Sequence, residues 1–196
     1  MLLPMILPQS IGKIDLGNWG IYTTKKQIKL WFESEGIIKN KPTRVLIRKQ
    51  RCLIPANGFF IKHNQNYFFM YFPDQPVITM AGLYSVDNQS ENKKHTYQFA
   101  ILTKPAMNKI SSYTSRMPLI ISSGTRRKFL NQNRPLMDIT RLFQKEERLP
   151  INGVEVSSKL FFKENINRDD FYSNCRKIYS AKRFPGKEIF GNYYLH

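Results

Sequence analysis

Short apolar stretches separated by polar turns run through the middle of the chain and predict a series of strands. Residues 59–62 and 67–72 flank the polar segment 63–66, a pattern typical of a β-hairpin. Residues 51–55, 77–86, 97–103 and 117–121 are further predicted strands, and the polar loop 87–94 should be exposed. The apolar residues 1–10, interrupted by Pro4 and Pro8, are too short to span a bilayer. We therefore predict that they enter the fold as a strand.

Helical spacing is weaker and falls near the ends of the strand region. We predict helices over 104–113, over 125–130 after a cap at Ser122 or Ser123, over 138–144 and over 167–178. Residues 154–162 alternate as a strand does. The basic segment up to Lys49 is irregular, with a short strand ending in a turn at 18–21 and either a short helix or an extended segment over 25–35.

Strands joined mainly by hairpins, with helices outside them, predict an α+β fold. We expect a single domain over residues 1–196, built on a mostly antiparallel, partly closed β-barrel with flanking helices. Residues 163–196 are predicted to form a basic C-terminal helix or tail. The absence of any 20–50-residue repeat argues against a solenoid.

The charge balance points to a polyanionic partner. Lys and Arg number 31 against 14 Asp and Glu, a formal net charge of +17. Self-repulsion on this scale costs stability, and nucleic acid relieves it by releasing counterions from its phosphates. An anionic membrane surface and simple compositional drift are the alternatives.

The cysteine and histidine content predicts neither a disulfide scaffold nor a metal site. Two cysteines, Cys52 and Cys175, and three scattered histidines, His63, His95 and His196, lack zinc-ligand spacing. We expect no cofactor and a reducing compartment, the cytoplasm.

Six short motifs, in order, resemble one family. RCLIPANGFF resembles the family signature RCL(I/V)PADGFYEW, and SRMPLI resembles HDRMPV(I/L)L. AGLY, FAILT, WGI and VEVS are similar to the family's AGLW, FTILT, WGL and PVS. They lie at residues 51–60, 115–120, 81–84, 99–103, 19–21 and 154–157. The chain thus resembles the SOS-response-associated peptidase family, which processes abasic sites in single-stranded DNA.

The resemblance implies a chemistry whose groups are missing from this chain. In the family, a cysteine after the initiator methionine attacks the abasic sugar aldehyde, and a glutamate and a histidine transfer protons. Leu2, Ile61 and Thr114 occupy the matching positions, and the N-terminal segment is shorter than in the family. The family's NARxE segment falls near 31–35, where neither register restores its asparagine or arginine. We therefore assign no catalytic residue and favour the absence of enzyme activity, which the resemblance itself leaves open.

Neither cysteine is expected to replace the missing nucleophile. Cys52 matches a strand cysteine of the family and should be a small buried group. Cys175 lies beside Arg176 and Lys177, which would lower a thiol pKa, but a solvated helix face explains it equally.

The candidate nucleic-acid-binding residues come from the retained motifs and from the basic segments around them. They are Trp19, Arg48, Lys49, Arg51, Asn57, Thr103, Lys104 and Arg116. Each has a structural alternative: Arg116 could tie loops together through carbonyls, Thr103 could end a strand, and Trp19 could be core. A second basic cluster runs through 126–128 and 176–187.

Three functions remain open from the sequence. The first is a protein, expected to be monomeric, that binds single-stranded or abasic DNA non-covalently. The second is an active enzyme of the family that crosslinks to abasic sites or cleaves peptides through a rearranged centre. The third is a catalytically inactive interaction or structural domain whose charge is incidental.

Overall fold

The computed structural model describes residues 2–23, 27–87, 96–144 and 150–156. Within them lie twelve strands and three α-helices. In chain order they are β1 (Leu2–Met5), β2 (Asp15–Trp19), β3 (Ile21–Tyr22), β4 (Ile28–Lys29), β5 (Trp31–Glu33), α1 (Lys41–Lys49), β6 (Arg51–Ala56), β7 (Gly58–His63), β8 (Asn66–Tyr71), β9 (Ile78–Asp87), β10 (Thr96–Pro105), β11 (Arg116–Pro118), α2 (Arg126–Leu130), α3 (Leu136–Gln144) and β12 (Asn152–Val156). Short 3-10 helices cover Pro8–Ser10, Asn108–Ser112 and Ser123–Thr125.

The main sheet curls into a nearly closed barrel. Its strands follow the order β1-β2-β10-β9-β6, with β5 and β11 also paired to β10. The two ends of this path meet where Ile6 and Leu53 exchange two backbone hydrogen bonds, of 2.8 and 3.0 Å. Neighbouring strands are antiparallel except that β2 and β5 run parallel to β10. Closure satisfies the backbone groups that a sheet edge would leave open.

Side-chain alternation along the strands separates two cores. Cys52, Ile54, Met80 and Phe99 point into the barrel, where they pack with Met5 and other buried residues. A β-carbon at Gly82 would lie 2.3 Å from the Ile54 side chain, so only glycine fits against this interior. The intervening residues, such as Leu53, Leu83 and Leu102, face outward, where helices α1 to α3 cover them.

A second, three-stranded sheet with the order β12-β8-β7 packs beside the barrel. A small third core of Ile61, Met70, Ile110 and Met117 lies between this sheet and the segment that leads into β11. The described part of the chain is therefore α+β around a nearly closed barrel, as the sequence predicts.

Most of the predicted strands are confirmed. The strands from β6 to β10 occupy the expected positions, the hairpin of β7 and β8 included, and residues 2–5 enter the barrel as β1. Over 25–35 the extended alternative is correct, since β4 and β5 lie there. Helices α2 and α3 also form close to their predicted bounds.

Two predictions are wrong, and a third is correct only in part. Residues 104–113 are not one helix, because pairing with β11 carries β10 to Pro105 and only a 3-10 turn follows. The segment before Lys49 is not irregular: it holds five strands and helix α1. The strand predicted over 117–121 shortens to β11 and a single bridge at Ile120. The exposed loop, the helix over 167–178 and the tail over 163–196 lie outside the described residues, apart from Asp87.

Candidate nucleic-acid interface

Arg116, at the start of β11, is held by a tight network at one end of the barrel. Its Nε donates to the Thr103 hydroxyl at 3.0 Å, and Nη2 donates to the Thr103 carbonyl at 2.9 Å. The two terminal nitrogens also form a bidentate pair with Glu35, both at 2.9 Å. Glu33 lies 3.9 Å from Nη1. Four hydrogen bonds to oxygens of the protein itself thus occupy most of the guanidinium donors.

The charges of this cluster do not favour an anion. One guanidinium faces two carboxylates, Glu33 and Glu35. The hydrogen bond from Arg116 lowers the pKa of Glu35 from 4.5 to about 2, so its carboxylate stays charged throughout the physiological range. Arg116 therefore positions β11 against β5 and β10.

Acid should weaken the Glu35–Arg116 pair. Because the folded-state pKa of Glu35 lies below its ordinary value, its contribution to stability is complete above about pH 4.5 and is lost as the pH falls towards 2. The Glu35 side chain is 45% exposed, so solvent should hold this contribution below about 1 kcal/mol. We expect Glu35→Gln to be less stable than the native chain at neutral pH. The difference in the free energy of unfolding, measured with urea, should shrink as the pH falls below about 4.5 and nearly vanish at about pH 2. A stability difference that does not change with pH would contradict this.

Two tryptophans stand side by side on the strands beside β10. Trp19 pairs in register with Phe99, and Trp31 with Ile101. Residues 99 and 101 are two apart on one strand, so their partners project to the same face of the sheet. The Trp19 indole nitrogen donates to the carbonyl of Leu30, the residue before Trp31, at 2.9 Å. Trp19 is 39% exposed and Trp31 53% exposed, so both rings offer aromatic surface to a partner.

The backbone after Trp19 explains the WGI motif. Gly20 has a φ of +119°, a conformation that side chains disfavour, and a β-carbon there would lie 2.6 Å from Ile28. This kink lets the chain leave β2 and turn into β3, which pairs with β4. After β4 the chain returns to β10 as β5, which places Trp31 next to Trp19.

Arg51 lies away from this surface, in the interior. It is fully buried, and its donors go to the carbonyls of Ile47, Arg48, Phe129 and Asn131, while its guanidinium carbon lies 5.9 Å from the centre of the Phe129 ring. Desolvation lowers its pKa to about 10, which leaves it charged at neutral pH. The predicted contact of Arg51 with nucleic acid does not fit this burial, since a guanidinium with all its directions occupied by carbonyls has none left for a partner.

The other predicted residues are scattered over the surface. Arg48 and Lys49 are exposed at the end of α1, and Lys104 is half-buried near the end of β10. Asn57 donates to the Pro76 carbonyl at 2.8 Å and so fixes the turn between β6 and β7. Only Trp19, Thr103 and Arg116 fall along one edge of the fold.

The residues that the sequence resemblance matches to the family's reactive positions lie on different elements of the fold. Leu2 is half-exposed on β1 and pairs with Asn18, next to Trp19. Ile61 is buried in the third core against Met70 and Met117. The Thr114 hydroxyl accepts a 3.4 Å bond from the Arg116 backbone nitrogen.

Groups that could substitute for these residues have other partners. His63 Nδ1 lies 3.0 Å from the Tyr113 carbonyl, and its ring stacks edge-on against Tyr113. Cys52 is buried inside the barrel, where desolvation raises the pKa of its thiol. Cys175 lies outside the described residues. Among those that are described, no cluster of histidine, cysteine and carboxylate ligands that could hold a metal ion forms.

Trp31 is the residue that the sequence motifs miss, because they mark it only as a departure from the family pattern. The alternation of Trp31, Phe32 and Glu33 contains a usable signal, since it places the tryptophan on the polar side of a strand and Phe32 on the core side. The signal becomes informative only once β5 is known to lie beside Trp19.

A nearly closed barrel with helices on its outer face and an exposed aromatic edge defines a small α+β barrel protein. The family model described as SOS response associated peptidase (SRAP) matches residues 9–161, most of the chain. The chain therefore belongs to the SOS response associated peptidase family.

Solved structures with the same fold support the architecture. A crystal structure of a protein from Bacteroides thetaiotaomicron is 22% identical with a TM-score of 0.71, and the match covers 83% of this chain and 77% of that one. A protein from Bordetella bronchiseptica is 17% identical with a TM-score of 0.66, over 80% and 84%. A phage-related protein from the same organism is 17% identical with a TM-score of 0.64, over 80% and 78%. No curated protein matches the chain. Among the described helices, none has the length and apolar character needed to cross a membrane.

Proposed function

We propose that this member of the family binds single-stranded DNA non-covalently. The observation that carries the proposal is the pair of exposed tryptophans, Trp19 and Trp31, adjacent on one face and fixed by the Trp19–Leu30 hydrogen bond. Bases of a single strand stack on such aromatic surfaces without regard to sequence. We further propose that the protein acts as a monomer in the cytoplasm.

The excess of positive charge supports the same partner. A net charge of +17 favours association with a polyanion through the release of condensed counterions. Glu33 and Glu35 lie near the tryptophans, so we infer that the bases approach this edge while the phosphates face cations elsewhere. Binding should then have a base-stacking part and a salt-dependent part that can be measured separately.

The covalent step of the family is not part of this proposal. The Leu2 side chain is aliphatic and offers no thiol to attack the sugar aldehyde. The Ile61 side chain, in its apolar core, cannot exchange a proton. The Thr114 hydroxyl has too high a pKa to act as an imidazole does at neutral pH. We infer that an abasic strand bound to the protein is held without a covalent bond and can dissociate.

A single labelled oligonucleotide containing one abasic site tests binding and chemistry together. On a native gel at about 50 mM salt we expect a shifted band. The affinity for the oligonucleotide should fall tenfold or more when the salt is raised to about 200 mM. On a denaturing gel the same mixture should run as free DNA. The matched control is an oligonucleotide with an intact base, which should behave identically on both gels.

Two results would overturn the proposal in different ways. No shift at low salt would remove DNA binding altogether and favour an interaction or structural role. A shift that survives denaturation on the abasic strand alone would show a covalent product, and the chain would then be an active enzyme using other groups.

A further inference from the structure

Helices α1 and α2 present a second positive surface. It is formed by six exposed cations, which we call the α1–α2 basic face: Lys41, Arg44, Arg48, Lys49, Arg127 and Lys128. The two helices contain no acidic residue, and among the described carboxylates none lies within ion-pair distance of these six. The described ion pairs all involve Arg116 or helix α3.

This face is separate from the tryptophan edge. Helices α1 and α2 pack on β6 and β9, whereas Trp19 and Trp31 lie on strands that pair with the opposite edge of β10. The tryptophan edge also carries two carboxylates beside Arg116, while the α1–α2 basic face is uniformly positive. One surface is thus suited to bases and the other to phosphates.

Helix stability explains the positions of four of these cations but not of the other two. Arg48, Lys49, Arg127 and Lys128 lie in the last turns of their helices, where the helix dipole favours positive charge. Lys41 and Arg44 lie in the first turn of α1, where the dipole disfavours it, and Arg44 repels Arg48 one turn further on. An anionic partner accounts for the positive charges at Lys41 and Arg44, which weaken helix α1.

The two helices are fixed next to each other in spite of their charge. Buried Arg51 binds carbonyls at the ends of both helices, from Ile47 and Arg48 on one side and Phe129 and Asn131 on the other. Gln132 adds a 2.8 Å hydrogen bond to the Lys49 carbonyl. The spacing of the surface cations is therefore set before any partner arrives, which reduces the entropy lost on binding.

We infer that the α1–α2 basic face is a second DNA-contacting surface, which binds the phosphate backbone of a strand whose bases occupy the tryptophan edge. The inference rests on the proposed function and adds that one surface contacts the bases while the other contacts the phosphates. A short oligonucleotide should reach only one of them, and a long one should reach both and gain affinity from the linkage.

The test compares oligothymidines of about 8 and about 30 nucleotides, spanning one and several single-strand site sizes. The variant Arg44→Gln/Arg48→Gln/Lys128→Gln removes three positive charges from the face and changes no buried residue. The matched control, Lys13→Gln/Lys62→Gln/Lys109→Gln, removes three exposed charges elsewhere. Fluorescence anisotropy gives Kd at several salt concentrations.

For the long strand we expect Kd of the helix variant to rise about tenfold or more at low salt. The slope of log Kd against log salt should fall by roughly 2, at about 0.7 for each lost phosphate contact. The short strand should bind the helix variant nearly as well as the native chain. The control variant should retain a slope close to the native one, and both variants should show unchanged thermal unfolding.

The possible failures are distinguishable. If the native chain binds neither strand at low salt, the proposed function fails and the inference fails with it. If the native chain binds the long strand and the helix variant does so with the same Kd and slope, only the α1–α2 assignment is overturned. Loss of binding to phosphatidylserine vesicles by the helix variant, with DNA affinity unchanged, would reassign the face to a membrane and likewise overturn it.

Discussion

Replacing Arg51 by alanine is expected to lower the free energy of unfolding by about 3 to 5 kcal/mol, a large effect for a single residue. The substitution removes a buried charge together with its hydrogen bonds to four carbonyls: Ile47, Arg48, Phe129 and Asn131. Buried acceptors that lose a charged donor remain desolvated and unpaired, which is costly. The contact with the Phe129 ring is lost as well.

Urea unfolding at neutral pH measures this effect, and two variants calibrate it. Arg51→Lys retains the charge but not the planar fork, so it should recover only part of the loss. Arg48→Gln changes an exposed arginine of the same helix and should alter stability by less than about 0.5 kcal/mol. A loss below about 1 kcal/mol for Arg51→Ala would mean that water replaces the guanidinium and that the helix ends do not depend on it.

The burial of Arg51 is a feature that the sequence pattern does not predict. A cation next to Arg48 and Lys49 is indistinguishable from a surface residue by charge or spacing. It is buried because the C-terminal ends of α1 and α2 converge on it, and those helices lie about 80 residues apart in the chain. Only the three-dimensional arrangement creates the carbonyl cage that makes its burial favourable.

The barrel was easier to predict than the elements around it. Strands β6, β9 and β10 contain nearly continuous apolar runs, because one side faces the barrel interior and the other packs under the helices. Helix α1 was missed because Ile47 is its only buried residue, so its apolar period is weak. The short strands β3 and β4 pair with each other, and β5 pairs with the distant strand β10. With only two or three residues each, they carry too little pattern to be predicted.

The candidate site was predictable in chemistry but not in assembly. The motifs single out Thr103 and Arg116, which the structure brings into contact, yet they do not indicate that Glu35 occupies the Arg116 guanidinium. The pairing follows from β5 running parallel to β10, which brings Glu33 opposite Thr103 and Glu35 within reach of β11. Arg116, a motif residue, is thus paired with Glu35, which lies 81 residues away in the chain.

Substituting the two tryptophans should have the largest effect on DNA affinity. Loss of one base–aromatic stack costs about 1 to 3 kcal/mol, so Trp19→Ala and Trp31→Ala should each weaken binding of single-stranded DNA by about tenfold or more. The double variant should lose more than either one. Because stacking does not depend on counterions, the slope of log Kd against log salt should stay unchanged, in contrast with the loss of helix cations.

Conservative variants separate stacking from structure. Trp31→Phe keeps an aromatic face and should retain most of the affinity, whereas Trp19→Phe also loses the hydrogen bond to Leu30 and should retain less. Phe60→Ala removes an aromatic side chain of comparable exposure, 38%, from β7 in the second sheet and should leave Kd unchanged. Equal losses for Phe60→Ala and Trp31→Ala would show that the aromatic edge has no special role. A native Kd for the double tryptophan variant would place the bases elsewhere on the protein and leave the phosphate contacts as the main source of affinity.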